Sequence, residues 1–280
     1  MSSKQKEKIL SLIKSLSHPD YSEIEKAYRE LKKSKSKFTV PLLIKSLQDR
    51  EPLVRKFCAD ILGEKKEPDA VLPLIENLKD PDVRVIVSTI IALGEIGDKR
   101  STEEIALLLK DESPFFYFIR LCAIDALAKI GDLIVVPTLI EAIKEDDIIF
   151  MRSIVETLIT IDPQSAVSPL IEILQDKESL CRDHAAEFLG LLEDKNAIDP
   201  LINVLKEEDI EVKICALQAL SKIGREECLL PLINIYKEEN NNIFKKTIQE
   251  TIKYILKQIE IKNNNNLSKE LIEKIFFSTR

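Results

Sequence analysis

The sequence is poor in the residues on which several large protein classes depend. Of its 280 residues only six are glycine, two are histidine and none is tryptophan, and aromatic residues make up 5% of the chain. So few glycines exclude collagen-like and glycine-rich linker sequences, and so few aromatic residues argue against an aromatic-rich β-sandwich. A hydrophobic fraction of 45%, mostly leucine and isoleucine, is enough for a buried core and argues against general disorder.

Long apolar segments and paired cysteines are also missing. No apolar run approaches the ~20 residues that span a bilayer, and the first residues, MSSKQKEKILSLIK, lack the apolar stretch of a signal peptide. The five cysteines show no CxxC spacing, which is typical of free thiols in a reducing compartment: Cys58, Cys122, Cys181, Cys215 and Cys228. These features predict a cytoplasmic protein that does not insert into membranes.

Negative charge predominates, but it is distributed unevenly. The formal net charge is −7, and residues 1–40 carry an excess of five positive charges, so the remainder carries −12. Because affinity for nucleic acid depends mainly on Lys and Arg that neutralise phosphates, the acidic body argues against general nucleic-acid binding. The basic head indicates either an end that contacts something acidic, such as another copy, or a solvated pair of capping helices.

A pattern of 31–33 residues repeats seven times along the chain. Six units open with proline and apolar residues, as in PLLIKSLQD and PLIENLKD, and Glu104 replaces the proline in the third unit. Each unit contains two helical patterns: the first begins at the proline, and an acidic turn is expected to cap the second. The units start near residues 41, 73, 104, 137, 169, 200 and 231, and the turn acids include Asp49, Asp80, Asp176 and Glu207.

The second helical pattern resembles a known family. The segments ALGEIGDKRST (92–102), ALAKIGD (126–132) and ALSKIGREE (219–227) occupy corresponding positions of their units and are similar to short HEAT repeats of the phycobilisome-lyase type. The resemblance covers about residues 41–260. It implies an all-α fold, a right-handed α-solenoid of about seven helical hairpins whose second helices line a concave inner face. The six glycines fall at or just beyond the ends of the second helices, where a left-handed residue is expected to terminate each helix.

The two ends of the chain depart from the repeat. Residues 1–40 contain two amphipathic helical patterns, which predict a capping pair and favour a monomer when the protein is alone. Residues 261–280 comprise an Asn-rich linker and the short amphipathic pattern LSKELIEKIFF, which either folds back as a cap or docks elsewhere.

Cations recur near the start of the second helices: Arg55, Arg120, Arg152, Arg182, Lys213 and Lys245. Aligned in this way they suit either a polyanion site or a structural ladder in which each cation pairs with a turn acid of an adjacent repeat. The nearby turn acids favour the ladder, because Arg forms bidentate hydrogen bonds with carboxylates. Ile86 takes this position in the second unit.

Some proteins of this architecture are enzymes, but their site residues do not carry over. Deoxyhypusine hydroxylase resembles these repeats and binds iron through His-Glu dipeptides, whereas here proline follows His18 and alanine follows His184. The repeats of alkylpurine DNA glycosylases engage DNA in a basic groove with stacking aromatic residues, which an acidic body without tryptophan does not provide. We therefore expect no metal, no cofactor and no catalytic residue.

Apolar residues of the middle units predict a binding surface. The lengthened third turn contains four consecutive aromatic residues, and because a helix buries one stripe, some of these rings must be exposed or lie under the turn. The predicted partner-binding residues are Phe115, Phe116, Tyr117, Phe118, Leu121, Val87, Ile91, Phe150 and Ile154. The acids predicted to flank them are Asp60, Glu95, Asp125 and Glu187.

The sequence therefore predicts a non-enzymatic scaffold that binds a partner protein helix or peptide on its concave face. Apolar pockets would anchor the partner, and the flanking acids would orient it. The alternative is an accessory subunit that presents a substrate to a modifying enzyme, as a phycobilin-lyase-like protein would. No residue specific for a chromophore can be identified, and the pattern marks no cysteine as an activated thiol.

Overall fold

The computed structural model describes residues 2–110, 116–143 and 147–263, which form α-helices joined by short turns and single 3-10 turns. Two helices precede the repeats, α1 (Ser2–Ser15) and α2 (Tyr21–Lys33). Seven hairpins follow. Their first helices are α3 (Thr39–Ser46), α5 (Val71–Asn77), α7 (Thr102–Leu107), α9 (Val136–Ala142), α11 (Val167–Gln175), α13 (Ile198–Val204) and α15 (Leu229–Glu238). Their second helices are α4 (Pro52–Glu64), α6 (Val83–Ile96), α8 (Tyr117–Ile130), α10 (Ile148–Ile161), α12 (Arg182–Leu192), α14 (Ile210–Ile223) and α16 (Asn242–Asn263).

The chain divides into two compact units, residues 1–142 with 156–161 and residues 143–155 with 162–280. In the first unit, the second helices α4, α6 and α8 pack side by side, and α3, α5 and α7 each pack against the helix that follows. In the second unit, α12 packs against α14 and α14 against α16, while α11, α13 and α15 each pack against the following helix. Each unit is therefore built on a row of second helices.

Capping residues set the ends of the second helices. The carboxylate of Asp82 accepts a hydrogen bond (2.9 Å) from the amide two residues on and starts α6. Gly97 ends this helix with φ 72°, and its N–H donates to the carbonyl oxygen of Leu93. Because glycine adopts this left-handed conformation at least cost, α6 stops at a defined point, and Gly131 and Gly224 end α8 and α14 in the same way.

The first helices begin earlier than the sequence predicts. Pro41 is the third residue of α3, and Pro137 is the second residue of α9. Proline is tolerated in these positions because the first four amides of a helix have no partner within that helix. The prediction that each first helix begins at its proline is therefore wrong by one or two residues.

The predicted capping role of the turn acids is also wrong where the turns are described. Asp49 and Asp80 each accept a hydrogen bond from the amide two residues on (3.0 and 2.9 Å), ahead of the helix rather than within its first turn. These bonds hold the turn itself. The residues that cap α6 and α14 are Asp82 and Asp209, which lie directly before those helices.

Three glycines lie inside second helices, so the prediction that all six terminate helices is wrong for Gly63, Gly94 and Gly190. A side chain at any of them would meet the backbone of an alanine in the next second helix. A Cβ would lie 2.5 Å from Cα of Ala92 for Gly63, 2.9 Å from Cα of Ala126 for Gly94, and 2.6 Å from Cα of Ala219 for Gly190. Glycine is needed at these positions because the neighbouring helices approach so closely.

Arginine side chains join successive hairpins within each unit. Nε and Nη2 of Arg55 donate to the two carboxylate oxygens of Asp80, both at 2.7 Å, and Nη1 donates to the carbonyl oxygen of Asp49 at 2.8 Å. In the second unit, Arg182 likewise donates to the carboxylate of Glu207 and, through Nε, to a carbonyl of its own hairpin (2.9 Å). Each arginine thus links a backbone carbonyl of its own hairpin to a carboxylate in the turn one repeat later.

The remaining ladder positions are filled differently. Arg120 is 5% exposed in α8, at the position that corresponds to Arg55. Nζ of Lys213 lies 4.1 Å from the ring centroid of Phe244, a cation–π contact with the next second helix. Lys245 donates to the carbonyl oxygen of Glu239 (3.0 Å), within its own hairpin.

Arg152 does not occupy a ladder position, because the α10 sequence is shifted by one residue relative to the other second helices. Met151 is buried where the other helices place the ladder cation, and Arg152 is exposed. Its guanidinium carbon lies 5.6 Å from the ring centroid of Phe188. The predicted ladder role of Arg152 is therefore replaced by a cation–π contact at the surface of the second unit.

Gly63→Ala tests the close approach of α4 and α6. Alanine in a helix ordinarily stabilises it by about 1 kcal/mol relative to glycine, but here the added methyl group would overlap Ala92 and overpacking costs about 1–3 kcal/mol. We expect a net loss in the free energy of urea-induced unfolding. Gly131→Asn is the control, because its Cβ would meet nothing within 4 Å and asparagine tolerates the left-handed conformation; equal stability of Gly63→Ala and the wild type would contradict the assignment.

Arg55→Met tests the link between hairpins. The side chains of Arg55 and Asp80 are only 11% and 6% exposed, so the variant leaves a carboxylate buried without its partner. We expect a loss of about 3–5 kcal/mol in the free energy of unfolding. Arg84→Met removes the Arg84–Asp82 pair, whose arginine is 61% exposed, and should cost no more than about 1 kcal/mol. If the two variants lost similar amounts of unfolding free energy, the buried Arg55–Asp80 pair would contribute no more to stability than the exposed Arg84–Asp82 pair.

Candidate functional site

An apolar surface lies on α6 and α8, within the first unit. It consists of Val87 and Ile91 on α6 and Phe118 and Leu121 on α8, which we call the α6–α8 patch. The side chain of Phe118 is 62% exposed and that of Ile91 is 44% exposed, while Val87 and Leu121 are half-buried. The pairs are spaced three or four residues apart, so each pair lies on one face of its helix.

The contact between α6 and α8 brings the two pairs onto neighbouring helices. Gly94 approaches Ala126 so closely that no side chain fits between their backbones. The buried sides of both helices form the core, and the remaining stripe of each helix stays exposed. A group of large apolar side chains in such a stripe is informative, because an exposed apolar patch generally marks an interaction site.

The aromatic residues of the third turn are only partly exposed. Phe116 immediately precedes α8 and is half-buried, as is Tyr117, the first residue of that helix. Phe118 follows and is mainly exposed. Phe115 lies outside the described residues. Of the three described rings, that of Phe118 is therefore the one available for binding.

A charged edge lies one helical turn beyond the patch. Nζ of Lys129 lies 2.9 Å from Oε1 of Glu95 and 3.1 Å from Oδ2 of Asp125. The hydrogen bond from Lys129 lowers the pKa of Glu95, and the hydrogen bonds to Glu95 and Asp125 raise the pKa of Lys129. The pairing stabilises the charged forms of Glu95 and Lys129, and with two carboxylates and one ammonium group the cluster has a formal charge of −1.

Lys129 is a member of this cluster that sequence reasoning missed. The signal was present, since Lys129 follows Asp125 by four residues and therefore shares its helix face. The predicted flanking acids are thus not free carboxylates. On α4, Asp60 is similarly paired: its Oδ2 lies 2.7 Å from Nζ of Lys56, and this Nζ also lies 4.3 Å from the ring centroid of Phe57.

Phe150 and Ile154 do not belong to the surface. They are 1% and 0% exposed, so their prediction as partner-binding residues is wrong. The one-residue shift in α10 explains the error, because Phe150 and Ile154 correspond to Ile119 and Ala123 of α8, which are buried. Ile148 and Ile149, which are 40% and 60% exposed, are the apolar residues that this turn presents. The remaining predicted acid, Glu187, is half-buried on α12 in the second unit.

The cysteines have the properties of structural thiols. Cys58, Cys181 and Cys228 are buried, and Cys122 and Cys215 are half-buried. Burial raises the pKa of Cys58, Cys122, Cys215 and Cys228, and the nearby carboxylate of Asp125 adds to the effect at Cys122. A raised pKa leaves less thiolate at neutral pH, and thiolate is the reactive form.

The described residues contain no group of three or more His, Cys, Asp or Glu side chains that could hold a metal ion. Nδ1 of His184 lies 2.9 Å from Oδ1 of the adjacent Asp183, which is a contact between sequence neighbours. In the ranges that the structure covers, no helix is both long and apolar enough to cross a membrane.

Solved structures that resemble the chain share its repeat architecture. YibA from Escherichia coli matches at 19% sequence identity and a TM-score of 0.53, over 87% of this chain and 91% of the other. Importin beta matches at 14% identity and a TM-score of 0.52, over 89% of this chain and 41% of the other. The complex of CpcE and CpcF of phycocyanin lyase from Nostoc sp. PCC7120 matches at 18% identity and a TM-score of 0.46, over 87% and 95%. At these identities the two matches with a TM-score above 0.5, YibA and importin beta, show the fold alone.

Sequence comparison gives the family. No curated protein matches the chain. The family described as HEAT repeats matches residues 9–89, 71–159, 136–202 and 167–253, overlapping segments that together cover most of the sequence. The all-α solenoid predicted from the sequence is confirmed by these matches and by the helical hairpins, and the chain belongs to the HEAT-repeat family.

Proposed function

We propose that this protein is a non-enzymatic scaffold that binds a partner helix or peptide on the exposed face of its second helices. The observation that carries the proposal is the exposure of Phe118 and Ile91 on adjacent, tightly packed helices. Resemblance to short HEAT repeats predicts that this face is concave. A concave apolar surface between helices suits the apolar side of an amphipathic helix.

Rigidity of the patch supports this function. The helices that carry it are held by backbone contacts at Gly63 and Gly94, so the apolar side chains are already positioned before a partner arrives. Preorganised contacts lose less conformational entropy on binding than flexible ones do. Phe118 is the natural anchor, because aromatic side chains contribute a large contact area and are enriched among residues that dominate binding energies.

The charged edge favours one orientation of the bound partner. Asp125 has a 64% exposed carboxylate, although Lys129 contacts it, and the cluster around Lys129 is negative overall. A partner with a basic residue one turn from its apolar anchors would approach this edge favourably. Such rim charges affect the rate of association and its salt dependence more than the final affinity.

Phe118→Ser and Ile91→Ser test the proposed surface. Phe118 is mainly exposed, so the unfolding free energy of Phe118→Ser should lie within about 0.5 kcal/mol of the wild type, whereas Ile91 is just over half buried and Ile91→Ser should cost no more than about 1 kcal/mol. Partners captured from the native host by the wild type, quantified by mass spectrometry, should be lost with Phe118→Ser. With a purified partner, we expect its Kd to rise by about 30-fold or more, the effect of a dominant contact.

Leu72→Ser is the matched control, because Leu72 is 60% exposed on α5, a first helix of the same unit. It removes a similar exposed apolar side chain away from the patch and should leave the captured partners unchanged. If Phe118→Ser and Ile91→Ser capture the same partners as the wild type, with unchanged stability, the patch is not the binding surface.

The alternative, a substrate-presenting subunit of a modifying enzyme, would find support in a coloured complex on incubation with bilin or in activity that depends on a partner. A covalent role for cysteine in such chemistry requires a reactive thiol. Because burial raises the pKa of the half-buried Cys122 and Cys215 and the other three thiols are buried, we expect none of the five to react with Ellman's reagent at pH 7.5 faster than free cysteine does.

The rate of reaction with Ellman's reagent should increase with pH, and all five thiols should react when the protein is unfolded in denaturant. Cys122→Ser and Cys215→Ser would identify whether the half-buried thiols account for any slow reaction. A thiol that reacts rapidly at neutral pH in the folded protein would contradict this prediction and favour the alternative.

A further inference from the structure

The N-terminal helix pair encloses a cleft that the proposed function does not use. The cleft lies between α1 and α2, has a volume of about 540 Å³, and is open to solvent. Its size is within the range of about 300–1,000 Å³ that is usual for ligand-binding pockets. The lining residues that matter for its chemistry are Lys8, Ile9, Leu12, Arg29, Lys33 and Lys35.

The cleft is strongly basic. Four cations and a single carboxylate, that of Glu30, line it. Lys8 pairs with Glu30 at 3.0 Å, and Arg29 pairs with a glutamate of its own helix. Nζ of Lys65, the residue directly after α4, donates to the carbonyl oxygen of Ser34 at 3.0 Å and brings a further cation to the rim. The cleft therefore provides a local excess of positive charge on a chain whose net charge is −7.

Two of these cations have no ion-pair partner in the described part of the chain, Lys33 and Lys35, and both are exposed. Lys33 is the last residue of α2, where a cation interacts favourably with the helix dipole. Lys35 lies beyond the end of the helix at Ser34 and receives no such stabilisation. Stabilisation of the C-terminal end of α2 thus accounts for Lys33 but not for Lys35.

Apolar side chains complete the cleft. Ile9 is 4% exposed and Leu12 is half-buried, and both line the same cleft as the cations. The lining residues include no aromatic side chain, and single-stranded nucleic acids are generally bound by basic grooves that also contain stacking aromatic residues. A phosphate chain would gain nothing from the aliphatic surface. A peptide with carboxylates and an aliphatic side chain would use both parts.

We propose that the α1–α2 cleft binds an acidic peptide segment of a partner protein. Carboxylates of that segment lie against Lys33 and Lys35, and an aliphatic side chain packs on the half-buried Leu12, above the buried Ile9. This surface is distinct from the α6–α8 patch and does not depend on the function proposed for it. Electrostatic attraction accelerates association, and the apolar contact distinguishes a peptide from other polyanions.

Fluorescence anisotropy with the full-length chain tests the proposal. The probe is a fluorescein-labelled peptide of sequence Glu-Leu-Glu-Glu-Leu-Glu. We expect it to bind with an affinity that falls as salt is raised. Lys33→Glu/Lys35→Glu should weaken binding by about 10-fold or more, because like charges then face the peptide. Lys33→Gln/Lys35→Gln, which removes the charges without reversing them, should give a smaller loss.

Lys45→Glu/Lys79→Glu is the matched control, since both lysines are exposed in the same unit, outside the cleft. It changes the net charge by the same amount and should leave the affinity within about 2-fold of the wild type. A peptide in which glycine replaces leucine should bind more weakly than the probe, and a thymidine oligonucleotide of equal charge should not compete with the probe. Circular dichroism verifies that all variants are folded.

Three outcomes would overturn the proposal. Equal weakening by the two double glutamate variants would show that the probe responds only to overall charge. Equal binding of the glycine peptide would show that the aliphatic lining at Leu12 does not take part. Effective competition by the oligonucleotide would assign the cleft to polyanions in general.

Discussion

Close contact between the backbones of successive second helices is the constraint on which the rest of this structure depends. At Gly63 and Gly94 in one unit and at Gly190 in the other, a single methyl group would overlap an alanine of the next helix. Helices that approach so closely have little freedom to slide or rotate, because protein interiors are densely packed and transmit strain. These contacts fix which side of α4, α6, α8, α12 and α14 is buried against a neighbouring second helix.

One consequence concerns the exposed stripe. Once the glycine and alanine side is buried, the side chains on the opposite face remain at the surface whatever their character. On α6 and α8 these include Ile91 and Phe118, and the neighbouring ionic groups are already paired through Lys129. The first unit therefore presents an apolar surface with a moderate negative edge, and it presents a basic cleft between α1 and α2. Two surfaces of opposite charge character on one unit suit a protein that holds more than one partner segment.

The repeat made most of the fold predictable, because seven similar units restrict the possible architectures far more than any local pattern does. The ends of helices were less predictable, since proline is tolerated throughout the first turn. In addition, an acid near a turn can accept a hydrogen bond either from the first turn of the helix or from an amide of the turn itself. Arg152 and Phe150 show the main limit. A one-residue shift within α10 leaves the helical pattern intact but exchanges buried and exposed positions. The shift cannot be seen when the repeats are aligned by their cations, because that alignment places Arg152 at the position that Met151 occupies in the structure. The pairing of Glu95 and Asp125 with Lys129 required the distance between adjacent helices, which sequence spacing alone does not provide.

The arginine links also show where one repeat ends in physical terms. Arg55 and Arg182 each reach a carboxylate 25 residues further along the chain, in the turn of the following hairpin. The segment that each link spans therefore runs from one second helix through the next first helix to its turn, half a period out of phase with the unit that the sequence repeats. A fragment cut at the sequence boundary would retain the arginine and lose its carboxylate. A fragment extended to the next turn would keep both.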